Sequence, residues 1–354
     1  MSVKEFYQGK KVLITGHTGF KGSWLALSLL CAGAKISGIS LEQQEAEASY
    51  HLLGISKEVE SFLHDIRDKE EVDKIIKLVK PDIIFHLAAQ PIVRESYRNP
   101  VETYEVNVLG TANLLEAVRH SNTVQSVVNV TTDKVYFNNE WCYGYRECDP
   151  LDGYDPYSNS KSCSELVTET YRRCFLKEQG IPISTARAGN VIGGGDRAKD
   201  RIIPDCIRKV KMGEKIQIRN PNSIRPYQHV LEPLYAYTVL AQKQWENPTL
   251  QGSYNIGPEA SECISTEKLV QIFCDTWGEN AEYEIIKEEG TVPHEANFLR
   301  LDNSKIKNIL DITPKWNASM AIQKVVEFEK GVFDSYQYRT IGEKQIIEYW
   351  DTLL

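Results

Sequence analysis

From the amino end of the chain, apolar runs alternate with stretches whose apolar residues recur every three or four positions. That alternation predicts βαβ units around a parallel sheet. Lys11 to Thr15 (KVLIT) reads as a buried first strand, Gly22 to Cys31 as the helix after it, and Ala34 to Ser40 as the second strand. Val59 to His64 is a third strand, Lys69 to Lys80 a helix, and Ile83 to Leu87 (IIFHL) a fourth strand. Pro100 to His120 reads as a long helix with Val106, Leu109, Leu114 and Val118 on its apolar face. Ser126 to Thr131 gives the next strand, Pro156 to Gln179 a second long helix ended by Gly180 and Pro182, and Ile183 to Arg187 a further strand. The predicted class is α/β, a Rossmann-type doubly wound parallel sheet with a smaller C-terminal α/β lobe. Past Gly189 the pieces shorten and Pro, Gly and Arg become denser. Residues 1–188 are therefore expected to build the sheet domain and residues 189–354 mainly the smaller lobe, with the chain crossing back between them.

Composition fits this picture. Of 354 residues, 42% are apolar and 25% charged, as in ordinary globular chains, and a chain this long can bury a large core. Lys plus Arg is 41 and Asp plus Glu 49, a net charge of −8 that argues against a nucleic-acid partner. An anionic ligand must then meet a local cluster of Arg, Lys or backbone N–H groups. The eight cysteines include no C-x-x-C pair, so no metal site is expected. They read as reduced, mostly buried thiols of a cytoplasmic protein. The most apolar early stretch, Ser23 to Ala34, is too short to span a bilayer, so no membrane partner is expected.

Directly after the first strand stands Thr15-Gly16-His17-Thr18-Gly19-Phe20-Lys21-Gly22. Glycines three apart between a strand and a helix permit a tight turn and close backbone approach to a pyrophosphate. The following helix N-terminus offers free N–H groups and a positive dipole end. Further on, Tyr157-Ser158-Asn159-Ser160-Lys161 places a phenol and an ammonium four apart at a helix start, on one face and about 6 Å apart along the axis. A cation there favours the phenolate and makes Tyr157 a candidate general base. Thr132 supplies a hydroxyl at the end of the fifth strand, where open α/β sheets place their chemistry.

The G-x-x-G-x-x-G turn resembles that of the extended short-chain dehydrogenase/reductase superfamily. Three more segments do so: Asp65-Ile66, similar to the pair meeting adenine; His86-Leu87-Ala88-Ala89-Gln90, similar to the H-x-A-A segment; and Asn107 in Asn107-Val108-Leu109-Gly110-Thr111, similar to the N-x-x-G-T motif. Asp133-Lys134 beside Thr132 resembles the acid–base pair of nucleotide-sugar 4,6-dehydratases, in the form carried by their CDP-glucose branch. Long segments extend that likeness over nearly the whole chain, among them HLAAQPIVR (His86 to Arg94), RAGNVIGGGD (Arg187 to Asp196), RNPNSIRPYQHVLEPL (Arg219 to Leu234) and PHEA (Pro293 to Ala296).

The resemblance implies NAD as cofactor, held by Gly16, Thr18, Gly19, Phe20, Lys21, Asp65, Ile66, Leu87, Ala88, Ala89, Asn107, Tyr157 and Lys161. Residues 1–188 would be the NAD-binding domain with the catalytic groups, and the later lobe would bind the nucleotide sugar. The second strand ends in Ser40-Leu41-Glu42, so the acid that usually meets the adenosine ribose is in place only if the strand runs on to Glu42. No basic residue suited to a 2′-phosphate follows, which favours NAD over NADP. The resemblance further implies catalysis by Thr132, Asp133, Lys134, Tyr157 and Lys161. Asp133 would have to stay protonated near neutral pH; Lys134 would have to be neutral to take a proton from C5, or else it stays charged, stabilises the enolate and leaves the base unassigned. Candidate contacts to the nucleotide sugar are Gln90, Arg94, Asn190, Arg201, Arg219, Arg225 and His294. The two long helices are those that relatives pair into a four-helix interface, which implies a homodimer or a dimer of dimers. The alternatives are a 4,6-dehydratase for another nucleotide sugar, a 4-epimerase on the same scaffold, needing Tyr157 and Lys161 but no acid–base pair, and a non-catalytic NAD-binding protein.

Overall fold

The computed structural model describes residues 1–278, 281–286, 298–331 and 335–351. Seven strands form one sheet: β1 (Lys11–Thr15), β2 (Lys35–Ser40), β3 (Glu60–Leu63), β4 (Ile83–His86), β5 (Ser126–Thr132), β6 (Ile183–Ala188) and β7 (Ser253–Ile256). Their order is 7-6-5-4-1-2-3 and every neighbouring pair is parallel. The order reverses between β1 and β4, which leaves a crevice at the carboxyl ends of those strands.

Strand residues alternate between two cores, as a period of two requires. Val12, Ile14, Ile83, Phe85, Val128 and Val130 face one side with α1 (Phe20–Cys31). Leu13, Ile84 and Val127 face the other with α2 (Lys69–Val79) and the long helix α3, residues 100–119. A third core, built from Ile203, Ile207, Ile216, Ile218, Phe273 and Val325, lies in the later half of the chain. β7 and the helix Leu231–Glu246 return from that half to the main sheet. β7, only four residues long, is the strand that periodicity does not reveal.

Both long helices differ in detail from the expectation. α3 runs as Pro100–Tyr104, a π-helical turn Glu105–Leu109 and Gly110–Arg119. The extra residue of a π turn rotates the face that follows. Leu109, expected in the core, is 57% exposed, whereas Leu114 and Val118 are buried. α4 (Pro156–Tyr171) passes into a π turn at Arg172–Leu176 and so ends before Gln179. The cysteines also depart from expectation. Only Cys206 and Cys274 are buried, while Cys142, Cys148 and Cys174 are exposed, on loops and helix faces away from any core.

Candidate active site

A cavity of about 1700 Å³ opens over the carboxyl ends of the strands. Gly16, with φ of 78°, starts the turn after β1, and a Cβ there would come within 2.8 Å of Ala88 N. A Cβ on Gly22 would stand 2.1 Å from Gly16 O. Only bare backbone therefore closes this cradle. Gly19 caps α1 without a side-chain hydrogen bond, which leaves N–H groups of the first turn free to meet an anion. The residues present thus fit a dinucleotide diphosphate.

At the adenosine end, β2 stops at Ser40, so Glu42 does not extend it. Ser40 Oγ lies 2.6 Å from Thr18 Oγ1, which also donates to Leu41 O at 3.0 Å. Gln43 Nε2 donates to Thr18 O (3.2 Å). Ser40, Leu41 and Gln43 are cavity residues that the sequence did not single out, because the expectation there was an acid. Glu42 and Glu45 also line this wall. Asp65 is fixed by Arg67 through two guanidinium contacts (3.0 and 2.7 Å), which hold its carboxyl below the usual range.

The reactive end is built from two elements. β5 delivers Thr132 and then a short turn, Asp133–Val135. α4, capped by Asp155 with Pro156 in its first turn, delivers Tyr157 and Lys161. Thr132 Oγ1 donates to Asp133 Oδ1 at 3.0 Å and also interacts with the Tyr157 phenol. The three groups thus converge. Asp133 is 2% exposed, its Oδ2 has no hydrogen-bond partner among the described residues, and it faces Gly189, where a Cβ would come within 3.1 Å. Burial pushes this carboxyl above the carboxylate range, against the opposing pull of Lys134, Thr132, Arg225 and Lys21. Burial lowers Lys161 to about 8, and its Nζ donates to Val130 O at 2.9 Å.

One expectation fails here. Tyr157 is not depressed by Lys161; burial raises the phenol to about 12, with Thr132 and Arg201 pulling it down. The ammonium is turned toward a strand carbonyl, so the i, i+4 spacing that brings the two residues to one face does not direct the charge at the phenol. Lys21, expected at the diphosphate, lies within electrostatic reach of Asp133, Lys161 and Arg201, and burial lowers it to about 7.

Of the other expected residues, Phe20, Ile66, Leu87, Ala88, Ala89, Gln90, Arg94, Asn190, Arg201, Arg219 and Arg225 all line the cavity. Arg201 pairs with Asp196 (3.1 Å) and Arg94 with Asp200 (3.7 Å). Arg225 is 4% exposed, and its guanidinium donates to Ile224 O at 3.0 Å. Asn107 does not reach the cavity. It is buried behind the wall, where its amide receives Gln90 N (2.8 Å) and donates to Gln90 O (3.1 Å) and Ser160 Oγ (2.8 Å). His294 lies outside the described residues. Beneath the site lies a buried ion pair that sequence reasoning missed, Arg187 with Glu165 (2.9 Å), which also engages Thr131, Thr185 and Tyr136. Its partners are 22 residues apart on different elements, a separation no local pattern carries.

This fold and cradle define the class: an extended short-chain dehydrogenase/reductase scaffold of the nucleotide-sugar epimerase and dehydratase type. A family model described as GDP-mannose 4,6 dehydratase matches residues 13–326. The CDP-glucose 4,6-dehydratase of Salmonella typhimurium is 43% identical over 352 residues, covering 98% of each chain. Among solved structures, the Thermus thermophilus UDP-glucose 4-epimerase in complex with NAD superposes with a TM-score of 0.78 at 25% identity, over 91% of this chain and 99% of that one. The Bacillus anthracis dTDP-glucose 4,6-dehydratase in complex with NAD gives 0.77 at 21% identity, over 93% and 99%. The chain belongs to the GDP-mannose 4,6-dehydratase family.

Proposed function

We propose that this protein is an NAD-dependent hydro-lyase that converts CDP-D-glucose to CDP-4-dehydro-6-deoxy-D-glucose and water. The observation that carries the reading is Asp133: a buried carboxyl, raised by desolvation, with one oxygen unpartnered and the other joined through Thr132 to Tyr157. An oxidation and re-reduction at one carbon needs no such acid. An elimination does, because the leaving 6-hydroxyl must be protonated. The identity to a CDP-glucose 4,6-dehydratase supports the nucleotide.

NAD, bound along the cradle, supplies a hydride acceptor for C4 and later a hydride donor for C6. The positive charge that bound NAD would bring beside Tyr157 would favour the phenolate over the phenol that burial raises, so that Tyr157 takes the 4-hydroxyl proton while Thr132 holds that oxygen and Lys161 fixes the ribose side of the site. The 4-ketone acidifies C5; Lys134 removes that proton as Asp133 gives its own to the departing oxygen, and Lys134 later returns a proton to C5. Arg225, with Arg201, Arg219 and Asn190, grips the diphosphate, Arg through paired N–H groups. Gln90 and Arg94 face the hexose. Residues 1–188 act as the cofactor and catalytic domain and residues 189–354 mainly as the sugar-nucleotide lobe. Among the described residues no helix is long and apolar enough to cross a membrane, and we place the reaction in the cytoplasm. α3 and α4 join two copies into a homodimer.

Incubation with CDP-, GDP-, UDP- and dTDP-glucose, followed by mass spectrometry, tests this. Loss of one water from CDP-glucose in preference to the others is expected. An isomer of unchanged mass would make the protein a 4-epimerase instead.

A further inference from the structure

Helix α4 carries serine at every second position from Ser158 to Ser164. At about 100° per residue, Ser158 and Ser162 share one face and Ser160 and Ser164 another. Each is committed. Ser158 Oγ donates to the cap Asp155 (2.6 Å). Ser160 Oγ donates to Tyr157 O (2.7 Å) and accepts from Asn107 (2.8 Å). Ser164 Oγ accepts from Asn129 (3.0 Å). Ser164 also meets Thr111 at 3.0 Å, on α3, and Ser162 differs in that its partners are the turn after β5 and the loop before α4. Its hydroxyl lies 2.8 Å from Val135 O, in the turn that carries Asp133 and Lys134, and accepts from Gly153 N at 3.0 Å in the loop before α4. Its own helix offers Ser158 O at 3.1 Å. The residue is 2% exposed and touches neither cavity nor reacting atoms.

The proposed reaction divides between these elements. Proton removal from the 4-hydroxyl belongs to α4, through Tyr157. Elimination belongs to the turn, through Asp133 and Lys134. Both must act on one hexose without its leaving, so the distance between helix and turn has to be held to a fraction of an ångström. The turn's own hydrogen bonds are local: Lys134 N to Thr132 Oγ1 at 3.4 Å and Thr132 Oγ1 to Asp133. They reach α4 only indirectly, through the contact of Thr132 with Tyr157, whereas the Val135 carbonyl meets α4 directly through Ser162. At the loop the fit is equally close, since a Cβ on Gly153 would stand 2.3 Å from Ser158 C.

We propose that Ser162 is a positioning residue that registers the elimination turn against the Tyr157 helix, through its hydrogen bond to Val135 O. This rests on the dehydratase reading. Without the hydroxyl, the turn loses its direct hydrogen bond to α4 and its distance from the helix loosens, while Tyr157 and Lys161 stay in place on their own helix.

The test separates the two half-reactions in Ser162→Ala, using the full-length protein loaded with NAD and given CDP-glucose. Absorbance of the reduced nicotinamide reports oxidation at C4. Deuterium incorporation at C5 from heavy water and mass loss of the product report elimination. Oxidation is expected within a few-fold of the parent protein and elimination reduced by about ten- to a hundredfold, with reduced nicotinamide accumulating during turnover. Equal loss in both steps, or none in either, would overturn the proposal. Ser162→Cys fills the same space with a weaker donor and should give the same imbalance at smaller size. If the alanine variant fails to fold, that ratio decides alone, and an unchanged ratio counts against the role. If the parent protein shows no elimination, the dehydratase reading falls, and the position of Ser162 is not the cause.

Discussion

Asp133 is the residue on which the proposed chemistry turns, and its state follows from its surroundings. A carboxyl 2% exposed, with an unpartnered oxygen, is far cheaper to keep neutral than charged. Lys134, Arg225 and Lys21 pull the other way, yet burial is the larger influence. Replacing Asp133 by Asn keeps the shape and removes the acidic proton. We expect product formation from CDP-glucose to fall by about 10²–10⁴, with reduced nicotinamide still forming on the enzyme; undiminished water loss would remove Asp133 from the acid role. At this scale much was legible: the glycine turn, Thr132, Tyr157 and Lys161 are local motifs whose spacing fixes their face. The direction of Lys161 was not legible. A four-carbon stem can reach the phenol or a strand carbonyl, and only the packing around Val130 selects the carbonyl.

At the scale of elements, α3 and α4 each contain a π turn and each presents apolar side chains to solvent. Val101 is 70% exposed, Leu109 57%, Leu166 55% and Phe175 39%. These exposed apolar groups on two adjacent helices support the proposed dimer. Leu109→Glu with Leu166→Glu should shift sedimentation from dimer toward monomer while far-ultraviolet circular dichroism stays unchanged. A dimer that survives both substitutions would place the interface elsewhere. The helices themselves were evident from periodicity. The π turn was not, because one inserted residue changes no local composition, and so Leu109 was assigned to the wrong face. β7 escaped for a different reason: four residues between loops carry too little pattern to distinguish a strand.

Among the described residues, three histidines are buried and held neutral. Burial lowers His17 to about 4 and His86 and His229 to about 3, from an ordinary 6.5. Between these values and 6.5 the unfolded chain binds more protons than the folded one. Stability therefore falls as pH drops through that window, by up to about 1.4 kcal/mol per pH unit for each histidine. Asp133 and Glu232, both raised by burial, oppose this at the acid end. Melting temperature should decline steadily below about pH 6.5. His229→Phe, which keeps an aromatic ring between Trp24 and Trp316, should make the decline shallower. A flat profile from neutrality to pH 5 would show that these rings gain protons without unfolding.

Hydrophobic period, glycine spacing and helix caps are short-range properties, and they determined the parallel sheet, the dinucleotide cradle and the helix bearing Tyr157 and Lys161. Long-range approach decided the rest. Burial of Asp133, its link through Thr132 to the phenol, the Arg187–Glu165 pair and the Ser162 bridge to Val135 arise where segments distant in sequence pack together. Desolvation and hydrogen-bond geometry depend on every neighbour in three dimensions, so no stretch of chain contains them by itself.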